Sequence, residues 1–227
     1  MIPMDVKQYI SWTATICQFG LLSTGIQVCL KIKQQGSTKN ITFFPFWSTC
    51  LSSILWTKYG ILVDDTPIYT IGILGMITQS AYLLFYYINT RDKKLLIQRL
   101  MYSFFGVCSL LTYVKYYTAD FDTAVFHLGF IASGFTVAVY GSPLASVANV
   151  IRHKSTEFMT FSMCLGNFVV ALLWAIYGQL VQDNFILVPN GTGVMLGSLQ
   201  LLLFVFYPST SQRTITYNMS SKPARQV

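Results

Sequence analysis

Residues 54–65 read ILWTKYGILVDD, and 118 residues later 172–183 read LLWAIYGQLVQD; seven of the twelve positions are identical. Apolar segments resemble one another by chance, but chance matches fall on leucine, isoleucine and valine. A tryptophan, a Tyr-Gly pair and a closing aspartate held in register point to duplication instead. The same offset pairs Ser37-Thr38 with Ser155-Thr156, Thr42-Phe43 with Thr160-Phe161, and Gly75 with Gly193. Any fold assigned to this chain must therefore contain one unit twice.

Composition supplies the setting. Of 227 residues, 53% are hydrophobic and only 10% charged, against about 25% charged in soluble domains. Mean hydropathy is +0.53. These values place the chain in a lipid bilayer, where backbone polar groups must be satisfied internally and only helices or closed barrels are allowed. Barrel strands alternate apolar and polar residues; this chain has long apolar runs, which favour helices. Seven runs are expected, at roughly 9–30, 41–62, 68–88, 96–117, 124–150, 158–181 and 185–207, each near the ~20 residues that a crossing needs. The first is diluted by Thr13, Thr15, Gln18 and Gln27. A signal peptide fits it poorly, because Lys31 and Lys33 follow the apolar stretch and only Lys7 precedes it.

Charge gives an orientation. Twelve of the fifteen basic residues fall in the loops 31–40, 89–99 and 152–157 and in the polar tail, while six of the eight acidic residues (Asp5, Asp64, Asp65, Asp120, Asp122 and Asp183) fall on the other side. The positive-inside rule makes the basic side cytosolic. Seven spans then put the N-terminus outside and the C-terminus inside. The net charge of +7 is thereby a topology signal, and no nucleic-acid partner is expected.

Catalytic and metal constellations have nothing to be built from. Five cysteines, Cys17, Cys29, Cys50, Cys108 and Cys164, lack metal-type spacing and read as thiols packed among helices. His127 and His153 sit near opposite faces, the single glutamate, Glu157, lies in a loop, and no ionisable residue falls near the centre of a span. An intramembrane enzyme or proton relay normally needs such groups, so we expect no catalytic residues, no cofactor and no metal. A seven-helix receptor shares the topology but has no reason to be duplicated, and its short loops would leave little room for docking partners.

With spans 1–3 repeated as spans 5–7 and span 4 left over, the order is 3+1+3. Four spans separate equivalent helices, so the two halves are parallel repeats about an axis along the membrane normal. Transporters of that plan bind solute near the midplane, between the repeats. Two faces suit such a site. Thr49, Ser52 and Trp56 share one face of span 2 at i, i+3, i+7 spacing, and Asn167, Val170 and Trp174 share the matching face of span 6. Hydroxyls and an amide beside an indole suit a sugar, which is polar at its rim and apolar on its C–H face. Each tryptophan lies ~6 residues, or about 9 Å, inside its outer loop, deeper than an interfacial belt.

The phrases STKNITFFPFWSTCLSSILWTKYG (37–60), YGSPLASVANVIRHKSTEFMTF (140–161), LLWAIYG (172–178) and VPNGTGVMLGSLQLLLF (188–204) resemble the SWEET family of sugar transporters, in its animal type, over about residues 9–208. No Pro-Gln dipeptide of related amino-acid exporters occurs. The resemblance implies an all-helical fold of two three-helix bundles, 1–90 and 124–208, joined by a linker helix at 91–123 and followed by a cytosolic tail at 209–227. It implies a bidirectional facilitator in the plasma membrane or a Golgi-like membrane, with a small sugar as substrate and lipid as surroundings; a homo-oligomer is compatible with it. It further implies a pocket of Trp56, Trp174 and Asn190, to which the face analysis adds Ser52 and Asn167. Of four family prolines that let the bundles bend, Pro45 and Pro143 match, and Gly25 and Thr160 stand at the other two positions. The family's second asparagine is replaced by Gly72, leaving Thr70, Thr78, Gln79 or water to make up its hydrogen bonds.

Overall fold

The computed structural model describes residues 4–116, 118 and 120–207; the expected tail, 209–227, lies outside them. The described residues form helices and no strands: α1 Met4–Leu22, α2 Gly25–Gln35, α3 Phe44–Leu62, α4 Thr66–Asn89, α5 Lys93–Tyr116, α6 Phe121–Val139, α7 Gly141–His153, a 3-10 turn at Thr156–Phe158, α8 Phe161–Val181 and α9 Asn184–Phe206. Spans 1 and 5 are each broken in two, as α1/α2 and α6/α7. Six segments are long and apolar enough to cross a membrane. The segment that falls short is α3, diluted by Ser48, Thr49, Ser52, Ser53, Thr57 and Lys58. Of these, Ser53 and Thr57 are buried against Gly75 and Gly72 of α4.

The helices form a closed ring with two-fold character. α3 packs most closely on α4, and α8 on α9; α1 lies on α4, and α6 on α9; the ring is completed across the halves by α1 on α8 and α6 on α3. Each first span thus leans on the second span of the opposite half. α5 stays outside the ring, touching α6 and α3 and exposing Met101, Tyr102, Phe104 and Phe105. All five cysteines are free thiols.

The duplicated phrase has a local reason at its glycine and its aspartate. A Cβ on Gly60 would lie 2.7 Å from the backbone nitrogen of Tyr69, and one on Gly178 2.7 Å from that of Leu187, its repeat mate. Only glycine lets the second and third spans approach so closely. Asp65 and Asp183 then start the third spans as N-caps: Asp65 Oδ1 accepts from the Ile68 amide at 3.1 Å, and Asp183 Oδ1 from the Phe185 amide at 2.8 Å. Capping satisfies amides that a helix start leaves open.

Both breaks fall at matching places. Around Ser23 and Thr24 the bonds tighten to i−3 type, Thr24 N–H to Leu21 O at 3.0 Å and Gln27 N–H to Thr24 O at 3.0 Å. At Tyr140 the amide likewise bonds Val137 O at 3.1 Å. Leu22 and Tyr140 are 118 residues apart.

Candidate functional site

The two tryptophans are tethered across the halves by a crossed pair of hydrogen bonds. Trp56 on α3 donates its indole N–H to Thr136 Oγ1 on α6 at 3.0 Å. Trp174 on α8 donates to Gln18 Oε1 on α1 at 2.5 Å. Gln18 and Thr136 are themselves 118 residues apart, so these bonds are repeat images of one another. Each indole also meets a tyrosine edge-on: Trp56 with Tyr59 at 5.5 Å, and Trp174 with Tyr177 at 5.7 Å. Trp174 is only 6% exposed, which suits an interior role and not a lipid-interface belt.

A second crossed pair closes the ring one turn further toward the C-terminal ends of α3 and α8. Tyr59 donates its hydroxyl to Asp183 Oδ2 at 2.6 Å, and Tyr177 donates to Asp65 Oδ2. Each aspartate therefore uses one oxygen to cap its own third span and the other to hold the opposite half. Burial pushes the Asp65 carboxyl above its ordinary value, outweighing the bonds from Tyr177 and the Ile68 amide that favour its charged form. The retained Tyr and Asp of the opening phrase thus have a shared reason, which pattern alone did not supply. Tyr59, Tyr177, Gln18 and Thr136 were all missed by sequence reasoning, although applying the 118-residue offset to polar residues would have paired them.

The expected solute-facing residues differ in exposure. Asn190 is half-buried on α9 and gives its amide N–H to Ile186 O at 2.7 Å. Ser52 and Thr49 on α3 and Val170 on α8 are half-buried, whereas Asn167 is exposed. Asn167 is two residues from lipid-facing Leu165, about 200° around the helix, and seven from Trp174, about the same face. Glycines at 193 and 197 let α9 close on its neighbours: a Cβ at 193 would sit 2.6 Å from Tyr140 Oη and 3.1 Å from Ala171 Cβ, and one at 197 would sit 3.0 Å from Phe168 Cβ.

A family profile described as "Sugar efflux transporter for intercellular exchange" matches residues 8–94 and again 126–212, two ranges displaced by the same 118 residues. The sugar transporter SWEET1 of Drosophila pseudoobscura pseudoobscura is 34% identical over 208 residues, 90% of this chain and 91% of its own. The chain belongs to the SWEET family. Its relatives include the zebrafish (Danio rerio) SWEET1, 28% identical over 216 residues, 95% of this chain and 99% of that protein, and an Arabidopsis thaliana bidirectional sugar transporter, SWEET16, 28% identical over 207 residues, 89% and 90% of the two chains. A solved eukaryotic SWEET transporter superposes with a TM-score of 0.84 at 25% identity, covering 88% of this chain and 96% of that one.

Set in this SWEET fold, the four positions expected to bend separate into two kinds. Gly25 opens α2 directly after the break in span 1, and Pro143, its mate at offset 118, lies in the first turn of α7 after the break in span 5. Pro45 is in the first turn of α3, a place where its missing N–H costs nothing, and Thr160 precedes α8 without a side-chain cap bond. Their offset mates are Met163 and Thr42, so these two are not images of each other. At Gly72 the expected asparagine could not simply be restored. A Cβ there would lie 2.2 Å from Thr57 Oγ1 and 3.0 Å from Thr57 Cα. In the other half the positions equivalent to Gly72 and Thr57 hold Asn190 and Ala175, so the larger residue stands on the third span there and on the second span here. Thr57 itself is spent on Ser53 O at 2.6 Å, and Thr78 on Leu74 O at 2.8 Å.

Proposed function

We propose that this chain is a facilitative, bidirectional sugar transporter that works by alternating access, seen here with its outer end closed. The observation that carries the reading is the pair of crossed Tyr–Asp bonds, Tyr59 to Asp183 and Tyr177 to Asp65. They join the halves at the level where spans 2 and 6 end, above buried Trp174. One face of α8 runs from exposed Asn167 to sealed Trp174, as it would if the interior opened at the opposite end. Curated relatives are named sugar transporters, which agrees with indoles, hydroxyls and amides facing a common axis.

In this reading the two three-span bundles rock against each other, with 91–123 as connector, and spans 1 and 5 flex at the breaks beside Gly25 and Pro143. Pro45 and Thr160 sit at the inner helix starts, where smaller adjustments suffice. A sugar is held by Trp56, Trp174, Ser52, Asn167 and Asn190. The N-terminus and the aspartates face outward, the basic loops face the cytosol, and the membrane is the cell surface or a Golgi-like compartment. No carboxylate lies in the middle of a span to relay protons, so the solute gradient alone drives flux. Uptake of labelled glucose, fructose, galactose and sucrose in a transport-null cell tests it. Saturable uptake of at least one sugar, lost in Trp174→Ala at an unchanged surface level, is expected; absence of all sugar uptake by surface-resident protein would sink the proposal.

A further inference from the structure

Trp174 can only donate through its indole, so the Gln18 atom facing it must be the carbonyl oxygen. That fixes the amide orientation and aims both N–H donors of Gln18 elsewhere. Gln18 Nε2 has no hydrogen-bond partner among the described residues. No sealed side-chain nitrogen or oxygen lacks a partner there either, so this nitrogen opens onto accessible space. The space is not lipid. Exposed Ile16 is two residues away, about 200° around the helix, and Gln18 shares its face with Ser11, Ala14, Thr15 and Leu22, all buried. A half-exposed residue inside an otherwise sealed face marks an opening between the halves.

The repeat mate behaves differently. Thr136 accepts from Trp56 but gives its only proton to Ala132 O at 2.9 Å, so it has no donor left. The second half supplies an amide from span 7 instead. Asn190 must turn its nitrogen to the Ile186 carbonyl, which leaves its oxygen to accept. Gln18 lies at the depth where the first half lacks that amide. Leu22 Cδ1 is 3.7 Å from a Cβ built on Gly75, and α1 and α4 run in the same direction. One turn outward from Leu22 is Gln18; one turn outward from Gly75 is Gly72.

We infer that Gln18 is a sugar-binding residue of this transporter, supplying from span 1 the amide donors that span 3 cannot carry at Gly72, opposite the acceptor offered by Asn190. The site is then polar in a directed way, with donors from the first half and an acceptor from the second. This rests on the sugar-transport reading above and adds a residue to its site.

Gln18→Thr separates binding from positioning, because Thr136 already shows that threonine at this repeat position reaches the indole. The variant keeps the Trp174 tether and removes the free donors. In a transport-null cell, with labelled glucose, fructose, galactose and sucrose and flux normalised to surface protein, the half-saturation concentration should rise roughly tenfold, the worth of a lost hydrogen bond to an uncharged ligand. The maximal rate should stay within about twofold. Returning the amide to span 3, as Gln18→Thr with Gly72→Asn and Thr57→Ala, should recover most of the lost affinity. Gln18→Ser serves if Gln18→Thr does not reach the membrane. An unchanged half-saturation in Gln18→Thr, with Trp174→Ala still inactive, overturns the role of Gln18 and leaves the transport reading standing. Flux of no sugar by the wild-type protein overturns the transport reading itself.

Discussion

Replacing Tyr59 and Tyr177 together by phenylalanine should unlatch the outer end while leaving its walls in place. The rings stay, and with them the edge-on contacts to Trp56 and Trp174. Asp65 and Asp183 keep their capping oxygens on the third spans, so no helix start is orphaned. What is lost is two hydroxyl-to-carboxylate bonds between the halves. A bond to a charged group is worth ~1.5–3 kcal/mol, but both aspartates are partly exposed to water, so each is discounted to ~1 kcal/mol. Losing both moves the outer equilibrium by about 2 kcal/mol, or roughly 30-fold toward open. Val170→Cys, in a background without the native cysteines, places a thiol one turn below Trp174 on the same face of α8. Its labelling from outside by a membrane-impermeant thiol reagent reads the open fraction as long as gating is faster than labelling. The double phenylalanine variant should label about 30-fold faster, and each single variant by an intermediate factor. Equal rates in all four proteins would refute the latch.

Acid should hold the same latch shut. Burial raises the Asp65 carboxyl in the closed form, and opening returns it to water and its ordinary value, so closure takes up protons. The preference for closed is greatest below the open-form value and is lost as pH rises through the raised one; labelling of Val170→Cys, relative to a fully exposed control thiol, should slow on acidification and lose that dependence in Asp65→Asn. Gly60→Ala would put a Cβ 2.7 Å from the Tyr69 nitrogen and force α3 off α4, costing ~1–3 kcal/mol. It should lower the thermal midpoint of detergent-solubilised protein, whereas Gly106→Ala, with nothing within 4 Å, should not. The sequons at Asn40, Asn190 and Asn218 lie on the cytosolic side or inside a helix in the proposed orientation, so treatment with an N-glycosidase should leave the mass unchanged.

The seven spans were legible because their apolar runs are long and their charges sorted by side. The two-fold plan was legible because one offset recurs, and the family profile repeats over ranges displaced by the same number. Span 1 is more instructive. Its polar residues read as dilution, yet Thr13 and Thr15 bond back to Tyr9 O and Ser11 O at 2.7 and 2.8 Å, and Gln18 holds Trp174 across the interface. A polar residue in a span is costly unless it has such a partner, and pattern alone cannot name a partner 156 positions away. The same limit hid the reciprocal Tyr–Asp bonds, although both residues stood in the opening phrase. At Gly72 the sequence registered a missing asparagine but not Thr57 filling its place, because a steric exchange between neighbouring helices appears only when they are packed. The breaks in spans 1 and 5 fall just before Gly25 and Pro143, residues that the resemblance marked as places to bend, whereas Ser23, Thr24 and Tyr140, which carry the tightened turns, give no signal of their own.

Purified protein in sealed liposomes gives the most direct measurement. With unlabelled sugar inside and trace label outside, counterflow should concentrate the label transiently, at the same rate with and without a proton uncoupler, and equally when the gradient is reversed. Alternating access by a passive carrier requires that result. Counterflow abolished by the uncoupler, or label that only equilibrates without overshoot, as through an open channel, would contradict the account.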